Sequence, residues 1–167
     1  MEMIEHKICA RHSKVKQPDR LSIPLVKHCI RITLHSERVN MPCEVNVFIA
    51  DDKVIREINR EFRGIDSPTD VLSFPMHTFS PPGWSAPGTE AVDPETGLLP
   101  LGEIVFSAQR VHAQALEYGR LLDKETAFLT VHSVLHLLGY DHVAQAGDRR
   151  KMREHEKKIM HDMGYSF

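Results

Sequence analysis

Residues 132 to 142, HSVLHLLGYDH, constrain the fold more than any other stretch, because their three histidines can act together only if the chain turns between the second and the third. His132 and His136 are four apart, so on an α-helix they share a face about 6 Å apart along the axis. On a continuing helix His142 would stand roughly 15 Å beyond His132 and on another face. Zn–N bonds are only about 2.1 Å long, so one ion could not reach all three. Gly139 lies where the helix has to stop, since glycine enters the left-handed conformation that ends helices at little steric cost. Tyr140 and Asp141 would then turn the chain and aim His142 back at the first two histidines.

By itself, a histidine pair at i, i+4 beside an apolar stripe reads first as half-buried packing. With the glycine stop and the returning histidine, the expectation is a single ion held by His132, His136 and His142. Three neutral imidazoles leave the ion its full charge and a fourth position for water, the pattern of catalytic rather than closed structural zinc sites. Asp141 is then an acceptor that orients a ligand ring, a proton-transfer group, or an exposed turn residue.

Around this segment the periodicity alternates between two kinds. MIEHKICA places Ile4, His6, Ile8 and Ala10 on one face, a weak strand signal, and residues 23 to 34 carry Leu25, Val26, Cys29, Ile30 and Thr33 at helical spacing. CEVNVFIA, 43 to 50, is a clearer strand. Asp51 or Asp52 caps the helix KVIREINREF, which Gly64 closes after Arg63. SPTDVLSFPM reads as a turn and then a strand at a sheet edge, given Pro68 and Pro75. LGEIVFS, 101 to 107, is a short strand, and a helix runs from Ala108 to Gly119. Asp123 is expected to cap the helix that carries the histidines, whose stripe is Ala127, Phe128, Val131, Val134, Leu135 and Leu138. A last helix turns Met152, Ile159 and Met163 inward; its RRKMREHEKK run, balanced by Glu154 and Glu156, reads first as a solvated face and second as a partner-contacting surface.

Residues 77 to 100 hold five of the ten prolines and three of the nine glycines, and so form a long surface loop, either functional or merely mobile. Trp84 within it is a loop anchor before it is a base-stacking platform. At 167 residues the chain fits one domain. Cys9, Cys29 and Cys43 have no CxxC spacing and read as reduced, buried thiols. No apolar run approaches the roughly 18 residues of a membrane span, and the N-terminus lacks a signal-peptide layout, so a cytoplasmic protein with no membrane partner is expected. A net charge of −2 supplies no global basic field, so any RNA must be held by a local patch.

By spacing, the nearest zinc motif is the peptidase HExxHxxGxxH, in which the glutamate is the general base. Ser133 stands in that glutamate's place, and a hydroxyl without an adjacent base cannot take a proton from zinc-bound water as a carboxylate does. The metal platform survives; peptidase chemistry loses its base.

Two further segments, NREFRGIDSPTDVLSFP at 59 to 75 and LGEI at 101 to 104, complete a set of three motifs with HSVLHLLGYDH. Together they resemble the YbeY family of metal-dependent endoribonucleases that act in ribosomal RNA maturation, from about Val45 to the C-terminal MGY. The resemblance implies a single α+β domain, 1–167, with a small mixed four-stranded sheet packed against about four to five helices. It implies one Zn2+ ion, with Ni2+ or another divalent metal as an alternative, on His132, His136 and His142. His136 and Arg63 are the implied catalytic residues; a guanidinium offers forked donors suited to phosphate oxygens. The implied substrate is single-stranded RNA, in particular the 16S rRNA 3′ end, with the small ribosomal subunit as partner, a role in ribosome quality control, and no DNA. The family pattern departs at Glu103, where aspartate is usual, at Ile65, where basic residues are frequent, and in the longer 77–100 loop. Arg56 and Arg60 share a helix face with Arg63 nearby and could guide the strand, although a solvated surface explains Arg56 equally well. The binding-class alternative is a ribosome-associated factor with a mainly structural metal, whose removal would unfold the domain; a zinc peptidase is the third reading.

Overall fold

The alternation in 43 to 50 becomes the inner strand β2 (Cys43–Ala50), with Cys43, Val45, Val47 and Ile49 all buried. In the computed structural model, which describes residues 2–14, 20–141 and 146–167, β2 lies parallel to β1 (Lys7–His12) on one side and to β4 (Leu99–Ser107) on the other. Strand β3 (Val71–Pro75) pairs antiparallel with β4, giving the order β1-β2-β4-β3 and an edge place for the proline-bounded strand. Among the described residues this is the expected mixed four-stranded sheet, packed against five helices as a single α+β domain.

Successive side chains leave a strand on opposite faces. One face builds the large core with α1 (Ile23–Ser36), α4 (Leu122–Leu137) and α5 (Ala146–Asp162), through Ile30, Leu34, Ile104, Phe106, Leu135 and Ile159 among others. The other face carries a small cluster, Ala50, Ile55, Leu72 and Val105, beneath α2 (Asp52–Arg63). Helix α3 (Ala108–Glu117) buries Val111 and Ala115 and packs against α4. Asp51 caps α2 by accepting from the Val54 N–H, and Gly64 ends it in the left-handed conformation, both as expected.

Several expectations need correction. The N-cap of α4 is Leu121, with no side-chain cap bond, and Asp123 sits inside the first turn, where its charge meets the positive end of the helix. Nor is α4 buried along a single stripe. It packs against α1, α3, α5 and the sheet, so Thr126, Thr130 and Ser133 are buried along with the apolar residues. The Thr130 hydroxyl satisfies itself by donating to the Thr126 carbonyl at 2.7 Å. Strand β1 starts at Lys7 rather than Ile4. His6, just before it, is buried and accepts from the Cys43 N–H at 3.1 Å. The three thiols are free, but Cys9 is exposed, because β1 is an edge strand and its outward positions remain uncovered. Strand β4 begins at Leu99, two residues before the expected start, and the loop before it contains a short 3-10 turn at Thr89–Ala91. Trp84 anchors that loop: its N–H donates to Asn40 at 2.8 Å and its ring lies 5.8 Å from Phe79.

At Gly102 both the neighbouring strand and the helix layer come close to β4. A Cβ there would stand 2.5 Å from the Phe74 carbonyl oxygen of β3 and 2.7 Å from Leu137 near the end of α4, so only glycine allows both neighbours.

Candidate metal centre

The end of α4 is built as the sequence requires. Gly139 has φ +95°, and its N–H donates to the His136 carbonyl at 3.0 Å while the Tyr140 N–H donates to the Leu135 carbonyl at 3.1 Å. This pair of bonds is the Schellman motif, which reverses the chain immediately after the histidine pair. A Cβ on Gly139 would stand 2.8 Å from the Phe79 carbonyl oxygen, because the 77–100 loop lies against the helix stop. The Gly83 N–H, donating to the Leu138 carbonyl at 2.9 Å, fastens that loop.

On the face so terminated, the His132 and His136 rings stand 4.5 Å apart and nearly perpendicular, with their Nε2 atoms at 3.0 Å. The far nitrogen of His132, Nδ1, lies 2.6 Å from Oε1 of Glu156 on α5, whose carboxylate is almost fully shielded from water. A carboxylate accepts only, so Nδ1 is the protonated nitrogen and Nε2 presents its lone pair toward His136. Two nitrogens on a tetrahedral zinc with bonds of about 2.1 Å are about 3.4 Å apart, so the pair needs to open by only a few tenths of an ångström. The carboxylate behind the ligand ring is the usual partner of a zinc-bound histidine. These residues fit a metal ion. The expected third ligand, His142, lies outside the described residues, and among the described residues no group of three donors converges.

Tyr140 fixes the chain just past the Schellman stop. Its hydroxyl donates to Glu37 at 3.0 Å, and the same carboxylate holds Nδ1 of His155 on α5. Burial first, and then the Glu37 charge, push the Tyr140 hydroxyl well above its ordinary range, so it serves as a donor.

A cleft of about 1180 Å³ opens over the histidine pair, and Arg63 lines the same cleft as His132, His136 and Asp141. The structure therefore brings together residues that are far apart in the chain. Arg63 is exposed at the C-terminal end of α2, and the chain beyond it is folded back by two clips. Asn59 donates to the Ser67 carbonyl at 2.9 Å, and Arg56 forms a forked pair with Asp66 at 2.8 and 3.3 Å. Arg56 is thus occupied as a surface clip rather than as a strand guide. Ile65 is exposed in the turn between these clips. Glu103 points away from the cleft: it is exposed on the α2 side of the sheet, in a groove with Phe48, Phe62 and Phe74, so its extra methylene does not alter the histidine site. Ser133 is buried in α4, outside the cleft, and among the described residues its hydroxyl has no hydrogen-bond partner. It cannot replace a peptidase glutamate.

Two features escaped the sequence reading. In the sequence Glu156 reads as part of a solvated charged face. Its i, i+4 neighbours Met152 and Met160 are both buried, which is the signal that its face turns inward. The second is a polar cluster in the lining of the cleft. There Glu125, 1% exposed, accepts from Arg120 at 3.0 Å and from Gln114 at 2.9 Å, and Gln114 also reaches Asp70 at 3.1 Å.

A family profile for Endoribonuclease YbeY matches residues 7–164. Relatives bearing that name include one from Caldanaerobacter subterraneus subsp. tengcongensis, 44% identical over 140 residues (84% of this chain, 86% of the relative). Another, from Clostridium kluyveri, is 40% identical over 158 residues (90% of this chain, 93% of the relative). Among solved structures, TM1509 from Thermotoga maritima shares the fold, with a TM-score of 0.55 at 24% identity, covering 95% of this chain and 91% of that one. With the family profile spanning nearly the whole chain and relatives above 40% identity over most of their length, this protein belongs to the endoribonuclease YbeY family.

Proposed function

We propose that this protein is a metal-dependent endoribonuclease that hydrolyses phosphodiester bonds in single-stranded RNA. The observation that carries the reading is the convergence of His132 and His136 at the floor of a cleft that Arg63 also lines. His132, His136 and His142 would hold one zinc ion, with nickel as the alternative. When bound, such an ion acts as a Lewis acid on a phosphoryl oxygen and lowers the pKa of bound water. Arg63 binds the phosphate of the scissile bond through its forked donors and stabilises the charge that builds there. Glu156 holds the His132 ring in the tautomer and orientation that present Nε2 to the cleft. Asp141, which lines the same cleft, would be the proton-transfer group.

The same reading extends to a cytoplasmic protein that acts on ribosomal RNA, at the 16S 3′ end and in ribosome quality control, with the small subunit as partner; the family relationship supports it. No helix among the described residues is long and apolar enough to cross a membrane. Three neutral histidine ligands would leave the ion a position open to water, which favours a catalytic metal over a structural one.

The test is cleavage of a generic single-stranded RNA by protein stripped with chelator and refilled with zinc, beside Arg63→Ala and His136→Ala. Zinc-restored cutting that both variants lose is the expected result, with the stripped protein keeping its circular dichroism. A folded, zinc-loaded wild type that stays silent sinks the nuclease assignment. A stripped protein that unfolds favours the structural-metal factor.

A further inference from the structure

Planar groups continue along the cleft from the histidine pair. The Phe128 ring stands 5.9 Å from His132, the Arg120 guanidinium 6.0 Å from Phe128, and the Tyr118 ring 5.2 Å from Arg120. All line the same cleft. The row ends at Tyr118, which is 56% exposed just past the end of α3. Its N–H closes the last turn of α3 on Gln114. Gly119 and Arg120 then form a second Schellman stop, with Gly119 N–H to Leu116 at 3.2 Å and Arg120 N–H to Ala115 at 2.9 Å. The Arg120 head is held in turn by the buried Glu125 carboxylate.

Glu125 compensates the charge of Arg120, so the guanidinium serves less as a phosphate anchor than as a flat, fixed support behind the tyrosine. A preorganised aromatic ring with an open face is what an unpaired nucleobase stacks on, and such stacking tolerates any base because every base has a π-face. A base inside a duplex already has both faces covered by its neighbours, so the same platform selects single strands.

We infer that Tyr118, backed by Arg120 and Phe128, is a nucleobase subsite of the cleft that the histidine pair and Arg63 also line. An RNA strand then lies with a phosphate at Arg63 and the metal pair and an unpaired base on Tyr118, which sets both its path and the preference for unstructured RNA. The inference rests on the ribonuclease reading for the identity of the strand.

Binding and cutting separate the two ideas. A fluorescent oligoribonucleotide of about twelve nucleotides, containing only adenosine and cytidine so that it cannot pair with itself, is titrated into chelator-stripped protein and followed by anisotropy. Tyr118→Ala is expected to weaken binding on the order of tenfold, while Tyr118→Phe binds like the wild type and both variants melt at the wild-type temperature. The same oligomer annealed to its complement is expected to bind more weakly to the wild type. With zinc restored, Tyr118→Ala raises KM and leaves kcat at saturating RNA unchanged. Equal binding by the wild type and Tyr118→Ala overturns the subsite and leaves the exposed corner of Leu116, Tyr118 and Leu121 to a protein partner. A duplex bound as tightly as the single strand, or no binding by the wild type, also overturns it. Binding that depends on Tyr118 in a protein that never cuts keeps the subsite and removes the nuclease reading.

Discussion

Nδ1 of His132 and Oε1 of Glu156 lie 2.6 Å apart across the packing of α4 on α5, so a residue 24 positions downstream decides which nitrogen of the first histidine faces the cleft. Glu156→Ala is expected to weaken zinc binding roughly 10- to 100-fold. Glu156→Gln, whose amide oxygen still accepts from Nδ1, should lose less. Competition against a chromophoric chelator measures both, and unchanged affinity in the alanine variant would refute the role.

Gly139→Ala puts a Cβ against the Phe79 carbonyl at a residue whose φ is +95°. A strained non-glycine residue there costs about 1 to 3 kcal/mol, before the contact with the loop is counted. Urea unfolding should register the loss, together with lower zinc affinity as the Schellman stop opens. By contrast Gly97→Ala, where φ is also positive but nothing stands within 4 Å, should cost less.

His6 supplies a pH dependence away from the metal centre. Its pKa is lowered, first by burial and second by the charge of Arg31, and its ring accepts from the Cys43 N–H. Below the ordinary value of about 6.5 the unfolded chain takes up the proton more readily than the folded one. The stability this group contributes is complete above that pH and is lost as pH falls through the folded value. Urea midpoints measured between about pH 7.5 and 5 should decline less in His6→Asn than in the wild type. Parallel declines would exclude His6 as the source.

The thiols divide by burial. Burial pushes Cys29 and Cys43 up to about 12, the Asp123 charge adding to the shift at Cys29, whereas Cys9 is exposed. Thiolate is the reactive form. Iodoacetamide at pH 8 should label one cysteine in the native protein and all three in denaturant, as read by mass spectrometry. Because these pKa values are raised on folding, the two buried thiols also remove stability as pH climbs from about 8.5 toward 12. A native protein labelled at Cys29 or Cys43 would contradict the burial.

Much of the architecture could be read from periodicity, because β2 and α2 each face one covered and one open side, and their boundaries carry Asp51 and Gly64. Helix α4 defeats that logic. Packed on several sides, it shows no clean stripe, and its start lacks a side-chain cap that would mark it. The histidine pair and the glycine stop were visible because ligand spacing and helix termination are local. Glu156, Glu37 and Arg120 were not, since their partners lie 24, 103 and 5 positions away and two of those pairings depend on how helices pack. A charged residue on a charged helix carries no mark of its partner.

The pairing of Pro75 with Gly102 also settles how the two halves of the cleft are gauged against each other. A slip of β3 by two residues along β4 would keep every side chain on its proper face, so hydrophobic patterning alone does not forbid it. Such a slip would carry the chain leading back to Arg63 by about 6.6 Å relative to the histidines. Gly102 lets the Phe74 carbonyl of β3 and Leu137 of α4 meet at one point of β4, within 2.5 and 2.7 Å of where a Cβ would stand. A Cβ there would wedge the antiparallel edge away from the histidine helix, so that glycine governs how near the arginine side of the cleft comes to the histidine pair.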